Sequence, residues 1–251
     1  MITKKELKHY SQLLTKKYRQ TENKFLVEGK KSVFEGLLSS HKCEIIFVTN
    51  KFQTENHLLI SEFKDFRVES IKQNEFDKIS DTETPQGIAA VFVKPDLKLR
   101  TELLKNEPLI ILLDNISDPG NLGTIIRNCD WFGVKNVLLS MNTVEYTNPK
   151  AVRSSMGSIF HLNIYENVEV SQVEDFRNAG FELLCADLSG ENVFHYISEK
   201  KKILILSNES NGPSDEFNKL VDKKITIPRI GNAESLNVAS ASAVLLAQLK
   251  K

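Results

Sequence analysis

The chain has 251 residues, 41% of them hydrophobic and 26% charged, with 33 Lys/Arg balanced by 33 Asp/Glu. That composition excludes a largely disordered or fibrous protein and predicts a soluble globular chain of one or two domains. A net charge of zero argues against nucleic-acid binding by bulk electrostatics, so the distribution of charge carries more information than its sum.

The N-terminus, MITKKELKHYSQLL, is amphipathic and charged, without the apolar core of a signal peptide, and no apolar run reaches the length of a membrane span. A cytoplasmic protein without a membrane partner is the expectation. Residues 1–31 carry nine Lys/Arg against three Glu, whereas residues 101–251 carry 15 Lys/Arg against 19 Asp/Glu. Lys16, Lys17, Arg19 and Lys30 at the positive end are therefore candidate phosphate contacts, a solvated Lys-rich helix face being the plain alternative. From residue 25 to about 94, β-rich runs (Phe25–Val27, Glu44–Val48, Gly87–Val93) alternate with helical stretches such as Lys30–Leu38, a small α/β domain over residues 1–96. Charged, proline-flanked sequence over 97–107 reads as a linker to a second domain, 108–251.

In that second domain Leu109–Leu113, Val134–Leu139, Glu182–Cys185, Ile203–Leu206 and Lys224–Ile227 are predicted strands, and Leu122–Phe132 and Ser235–Leu249 predicted helices. Runs that are apolar throughout and alternate with helices imply an α/β fold with a parallel sheet covered on both faces. Cys43, Cys129 and Cys185 are odd in number and far apart, which fits neither a disulfide framework nor a zinc site, and no metal is expected.

Ligands of open parallel sheets bind beyond the carboxyl ends of the strands, so the loops there are read first. After Leu109–Leu113 comes DNISDPGNLGTIIRN, in which Asn121 and Arg127 lie at the start of a helix, a natural anion site or simply an Asx-type turn with a cap. After Ile203–Leu206 comes SNESNGPSDE, with Glu209 among small residues, where a lone carboxylate is more often a cap than a catalyst. After Lys224–Ile227 comes PRIGNAESLNVASASAVLL, in which Ser235 is expected to cap the last helix, Asn237 to lie in its first turn, and Ala239–Ala243 to offer a small-residue face.

Taken together, the three loops resemble, in order, spacing and content, the three motifs of the SpoU/TrmH class of knotted RNA ribose methyltransferases. Asp118-Pro119-Gly120-Asn121-Leu122-Gly123 with Arg127 is similar to the first motif, Glu209 with Gly212 to the second, and Ile227-Pro228-Arg229 with Gly231 and Ser235-Leu236-Asn237-Val238 to the third. Asn148-Pro149-Lys150, Arg153, Ser154 and Ser155-Met156-Gly157 resemble the substrate-side segment of that class, and Phe25–Gly29 with Thr84–Gly87 its ribosomal-protein-like RNA-binding module. Ser207 stands where the class usually has Gly, and Arg229 where it usually has Met.

The resemblance implies a C-terminal parallel-sheet domain with a deep trefoil knot, preceded by a smaller α/β substrate-binding domain. It implies methyl transfer from S-adenosylmethionine to a ribose 2′-hydroxyl of structured RNA, ribosomal rather than transfer RNA, by a homodimer. Asn121, Arg127, Glu209, Ser235 and Asn237 take the catalytic roles. Ser207, Asn208, Gly212, Ile227 and Leu236 hold the donor, and Lys150 and Arg153 join the RNA contacts. The donor carries no phosphate, in keeping with the lack of a G-x-G-x-x-G fingerprint. An arginine stays protonated at ordinary pH, so Arg127 is read either as a strongly perturbed base or as an anchor for phosphate and developing alkoxide. The rival readings are a base-methylating knotted enzyme, a non-catalytic RNA-binding assembly factor that keeps the fold, and a plain nucleotide-binding protein, which lacks any phosphate loop.

Overall fold

Residues 2–208 and 212–250 are described by the computed structural model. They divide into two units, residues 1–96 with 146–160 and residues 97–145 with 161–251. In the first unit, four strands β1 (Lys24–Glu28), β2 (Cys43–Thr49), β3 (Val68–Ile71) and β4 (Ile88–Val93) form a sheet of order β1-β4-β2-β3. β4 runs antiparallel to both its neighbours and β3 parallel to β2. The Lys4–Ser11 helix begins on a capping box, Thr3 Oγ1 accepting from the Glu6 N–H at 3.2 Å while Glu6 accepts from the Thr3 N–H at 2.9 Å. Its apolar stripe, Leu7 and Tyr10, joins Leu26, Phe47 and Phe76 in one core.

On the other side of β1 and β4, Phe25 and Phe92 meet Phe160, at ring-centroid distances of 6.2 and 4.9 Å. Residues 146–160, which follow the start of the second domain in sequence, thus complete the core of the first unit. Arg19, expected to face phosphate, is corrected. It is 3% exposed, and its guanidinium donates to the Leu13 carbonyl at 2.9 Å, because an amphipathic helix that turns Arg19 inward must satisfy it there.

The second unit is a six-stranded, wholly parallel sheet of order β10-β8-β9-β5-β6-β7, built from β5 (Leu109–Asp114), β6 (Asn136–Ser140), β7 (Asn163–Val168), β8 (Glu182–Asn192), β9 (Lys202–Ser207) and β10 (Lys223–Thr226). Every residue of β5 is buried, as its unbroken apolar run requires of a central strand covered on both faces. The stretch 97–107 is not only a linker, since Leu104 buries itself among Ile110, Leu112, Phe176 and Ile203. β8 runs longer than predicted. Against β10 its register jumps from Cys185 opposite Lys224 to Glu191 opposite Ile225, so Ala186–Gly190 leave the ladder as an excursion. Gly190 makes that possible, since a Cβ there would lie 2.5 Å from the Ile225 backbone nitrogen.

Candidate functional site

Because all six strands run the same way, the loops after β5, β9 and β10 emerge at one end of the sheet. After β5 the chain turns through Asn115, whose φ is +57°, into the Pro119–Trp131 helix. Asp118 caps that helix, its carboxylate accepting from the Asn121 N–H at 2.8 Å, and Pro119 occupies the first helical turn, where no amide donor is needed. The helix N-terminus expected to attract an external anion is thus served by the chain's own carboxylate.

The closing helix spans Val238–Leu249 and is capped by Asn237, not by Ser235 as predicted. Asn237 Oδ1 accepts from the N–H groups of Ala239 at 3.0 Å and Ser240 at 3.4 Å. With its oxygen so engaged, the Asn237 amide nitrogen donates to Asn121 Oδ1 at 3.1 Å and ties the third loop to the first. Farther along the same pair of helices, Asn128 Nδ2 donates to the Ala239 carbonyl at 2.9 Å and to Ser242 Oγ at 2.8 Å. Sequence reasoning passed over Asn128. The available signal was an asparagine in mid-helix, where propensity disfavours it unless its amide has a partner.

A cavity of about 440 Å³ opens beside this junction, a size ordinary for a small-ligand site. Its apolar wall includes Leu206, Ile225, Ile227 and Leu245, and Ser207, Asn208, Thr226 and Glu234 add polar groups. The five expected donor-site residues, Ser207, Asn208, Gly212, Ile227 and Leu236, all lie on its wall, as do Ser235 and Arg229. Gly212, at φ +66°, closes a turn by donating its N–H to the Asn208 carbonyl at 3.0 Å. The far side of that loop is held by Asp114, a carboxylate only 1% exposed at the end of β5, which accepts from the Ser214 N–H at 2.7 Å. Glu209 lies outside the described residues.

The β8 excursion brings Ala186, Asp187 and Leu188 to the same cavity. Asp187 accepts from Lys224 Nζ at 2.8 Å and from both the N–H and the hydroxyl of Ser189, at 2.8 and 2.7 Å. The Lys224 hydrogen bond, above all, brings the Asp187 carboxyl down to about 2. Burial raises the neighbouring Cys185 thiol to about 11 and keeps it an inert core residue.

Arg127 stands apart from the cavity lining. It is exposed on the Pro119–Trp131 helix, and among the described residues no hydrogen bond or ion pair engages its guanidinium. Lys16, Lys17, Lys30 and Lys150 are exposed in the first unit, and Arg153 is paired there with Asp81 at 2.8 Å.

Comparison with known proteins assigns both parts of the chain. A model described as the SpoU rRNA Methylase family matches residues 108–247, and one described as an MRM3-like substrate binding domain matches residues 4–90. The chain is 32% identical over 246 residues to the 23S rRNA (guanosine(2553)-2′-O)-methyltransferase of Bacillus subtilis (strain 168), covering 98% of this chain and 96% of that protein. A solved structure assigned to the TrmH family of RNA methyltransferases, from Porphyromonas gingivalis, matches with a TM-score of 0.86 at 31% identity, covering 99% of this chain and 98% of the other. The AdoMet-bound rRNA methyltransferase from Sinorhizobium meliloti matches with a TM-score of 0.84 at 25% identity, covering 100% and 95%.

Proposed function

This chain belongs to the SpoU rRNA methylase family, and we infer its reaction from that membership together with the geometry of the site: methyl transfer from S-adenosylmethionine to a ribose 2′-hydroxyl of RNA. The observation that carries the reading is the Asn237–Asn121 hydrogen bond of 3.1 Å, which joins the first and third loops beside a ligand-sized cavity walled by the second and third.

The residues present fit the donor. Apolar side chains flank a cavity of sufficient volume, polar backbone-rich loops border it, and Glu234 on its wall suits a cationic ligand. When bound, the donor supplies a methyl group made electrophilic by its sulfonium. Ser207, Asn208, Gly212, Ile227 and Leu236 would hold it, while Asn121, Ser235 and Asn237 fix the loops so that the acceptor hydroxyl is aligned in line with that methyl. Arg127 acts as the cation that holds an RNA phosphate and stabilises the alkoxide that develops as the 2′-hydroxyl gives its proton to solvent water. Glu209 belongs to the same set.

The first unit gathers RNA through Lys16, Lys17, Lys30, Lys150 and Arg153, and Arg19 drops out of that set. Ribosomal RNA is the proposed substrate, on the model of the Bacillus relative, and the proposed location is the cytoplasm. No helix among the described residues is long and apolar enough to cross a membrane. The trefoil knot is proposed as well. From β10 at the sheet edge, the chain returns to pack Val238–Leu249 on the helix that follows β5. A homodimer through the same helices is proposed from the small residues Ala241 and Ala243 and from Trp131, which is 82% exposed at the end of the Pro119–Trp131 helix.

Transfer of labelled methyl to RNA, followed by mapping of 2′-O-methyl positions with and without the gene, tests the reading. One missing ribose methyl in ribosomal RNA is the expected outcome, and an unchanged map refutes the substrate. Arg127→Ala is expected to abolish transfer while donor affinity stays within a few-fold, and Arg127→Lys separates charge from fork geometry. Normal turnover by Arg127→Ala would refute its role. Light scattering checks the dimer.

A further inference from the structure

The Tyr146–Phe160 segment brings cations to the first unit as well as aromatic rings. Its Pro149–Ser155 helix packs against β1. Arg153 donates from Nη1 to Asp81 Oδ2 at 2.8 Å, and the Asp81 N–H donates to Glu28 Oε1, at the end of β1, at 2.7 Å. Two residues past Glu28, Lys30 opens the Lys30–Leu38 helix, its N–H donating to Gln86 Oε1 at 2.8 Å. Just past the Pro149–Ser155 helix, Gly157 lies so near that same Lys30–Leu38 helix that a Cβ on it would fall 2.5 Å from Glu35 Cγ. These contacts set three pieces side by side: the Glu28–Lys31 turn, the loop from Ser80 to Gln86, and the helix bearing Lys150 and Arg153. Lys30, Lys31 and Lys150 are exposed there, and the Arg153 side chain is 31% exposed.

We propose that this face of the first unit, with Lys30, Lys31, Lys150 and Arg153, takes the phosphate backbone of the RNA, and that Asp81 holds Arg153 in the place of a phosphate until RNA arrives. The inference rests on the RNA-methyltransferase reading and deepens it. It makes a segment that interrupts the catalytic sequence part of the RNA-gathering surface. A guanidinium offers carboxylate and phosphate the same planar fork, so Asp81 keeps Arg153 extended in the geometry a phosphate would use. Asp81 is 45% exposed, and an ion pair so open to water is weak enough to be exchanged. The incoming phosphate releases counterions, and the carboxylate does not. Asp81 keeps its place after the exchange because its backbone N–H, not its side chain, ties it to Glu28.

The test uses the full-length chain and a fluorescein-labelled RNA hairpin, with affinity read by anisotropy at two salt concentrations and folding checked by thermal melting. Asp81→Asn is expected to tighten binding by roughly three-fold, whereas Asp65→Asn, the same charge change at an exposed acid elsewhere in the unit, should give less. Arg153→Ala should weaken binding and lower the salt slope by about 0.7–0.9, one phosphate contact, with Arg153→Lys partly restoring it. In the Arg153→Ala background, Asp81→Asn should then gain no more than Asp65→Asn does. If Asp81→Asn binds no more tightly than Asp65→Asn, or if its excess over Asp65→Asn survives Arg153→Ala, the exchange is wrong. A salt slope unmoved by Arg153→Ala and by Lys150→Ala moves the RNA surface elsewhere. Calorimetry with S-adenosylmethionine on the wild-type chain reports separately on the methyltransferase reading. Donor binding with unaltered RNA affinities would refute this face alone.

Discussion

Two asparagines of the site differ in what their loss should do. Asn237 is exposed and serves as a helix cap and as the link to Asn121, so Asn237→Ala is expected to cost about 1 kcal/mol, the ordinary value of an N-cap, with a larger loss of methyl transfer. Asn128 bonds the wholly buried Ser242, so Asn128→Ala should cost roughly 1–3 kcal/mol, because buried partners lose their donor. Urea midpoints and initial rates on both variants check the contrast, and equal stability losses would contradict it. Asp187 adds a pH dependence. Its carboxyl lies near 2 in the folded chain, below its ordinary value of 3.8, so its pair with Lys224 stabilises the fold above about pH 4 and the contribution disappears as pH falls toward 2. The pair is partly solvent-exposed, which limits the effect to below about 1 kcal/mol. Lys224→Met should flatten the acid limb of a melting-temperature profile over that window, and an unchanged acid limb would show that the pair adds nothing to stability.

At the scale of elements, what was legible in the sequence follows from where each element takes its instructions. β5 and β9 carry unbroken apolar runs because they are central and covered on both faces, and the Lys30–Leu38 helix has the bounds its pattern predicts. β7, with the sequence NIYENV, sits at a sheet edge, pairs only with β6 and keeps polar residues on its open side, so its pattern does not read as a buried strand. The start of the last helix moved from Ser235 to Val238 because one asparagine side chain satisfies two orphan amides, a choice that a Ser-Leu-Asn string does not reveal. The excursion Ala186–Gly190 was hidden for a different reason: nothing in ADLSG departs from strand or turn chemistry, and only the crowding of Gly190 against Ile225 shows what the glycine does. Gly190→Ala should therefore press β10 away from β8, cost roughly 1–3 kcal/mol, and raise the KM for S-adenosylmethionine by displacing the wall that bears Asp187. An unchanged KM in a destabilised variant would separate the excursion from the donor site.

For the whole molecule, the return of Tyr146–Phe160 to the first unit decides how the chain can be divided. Cutting at the apparent linker, near residue 100, looks natural from the sequence, since charge, prolines and the restart of the α/β pattern all coincide there. Such a cut leaves the fragment 101–251 with Tyr146, Val152, Ile159 and Phe160, which are buried in the intact chain, and removes Phe25 and Phe92, against which Phe160 packs. Side chains of this size stabilise by roughly 1.5–3 kcal/mol each when buried, so several of them exposed together form an apolar patch of the kind that drives aggregation. The catalytic sheet itself keeps its strands, and the cavity residues all lie in the second unit. The fragment is therefore expected to retain strand content by circular dichroism but to elute as a soluble aggregate in size-exclusion chromatography with light scattering. The same fragment with Phe160→Ser and Ile159→Ser should recover a defined mass and bind S-adenosylmethionine. If the unmodified fragment were monodisperse with the donor affinity of the full chain, Tyr146–Phe160 would be an independent part of the catalytic domain, and the division of the molecule drawn from its fold would have to be redrawn at residue 97.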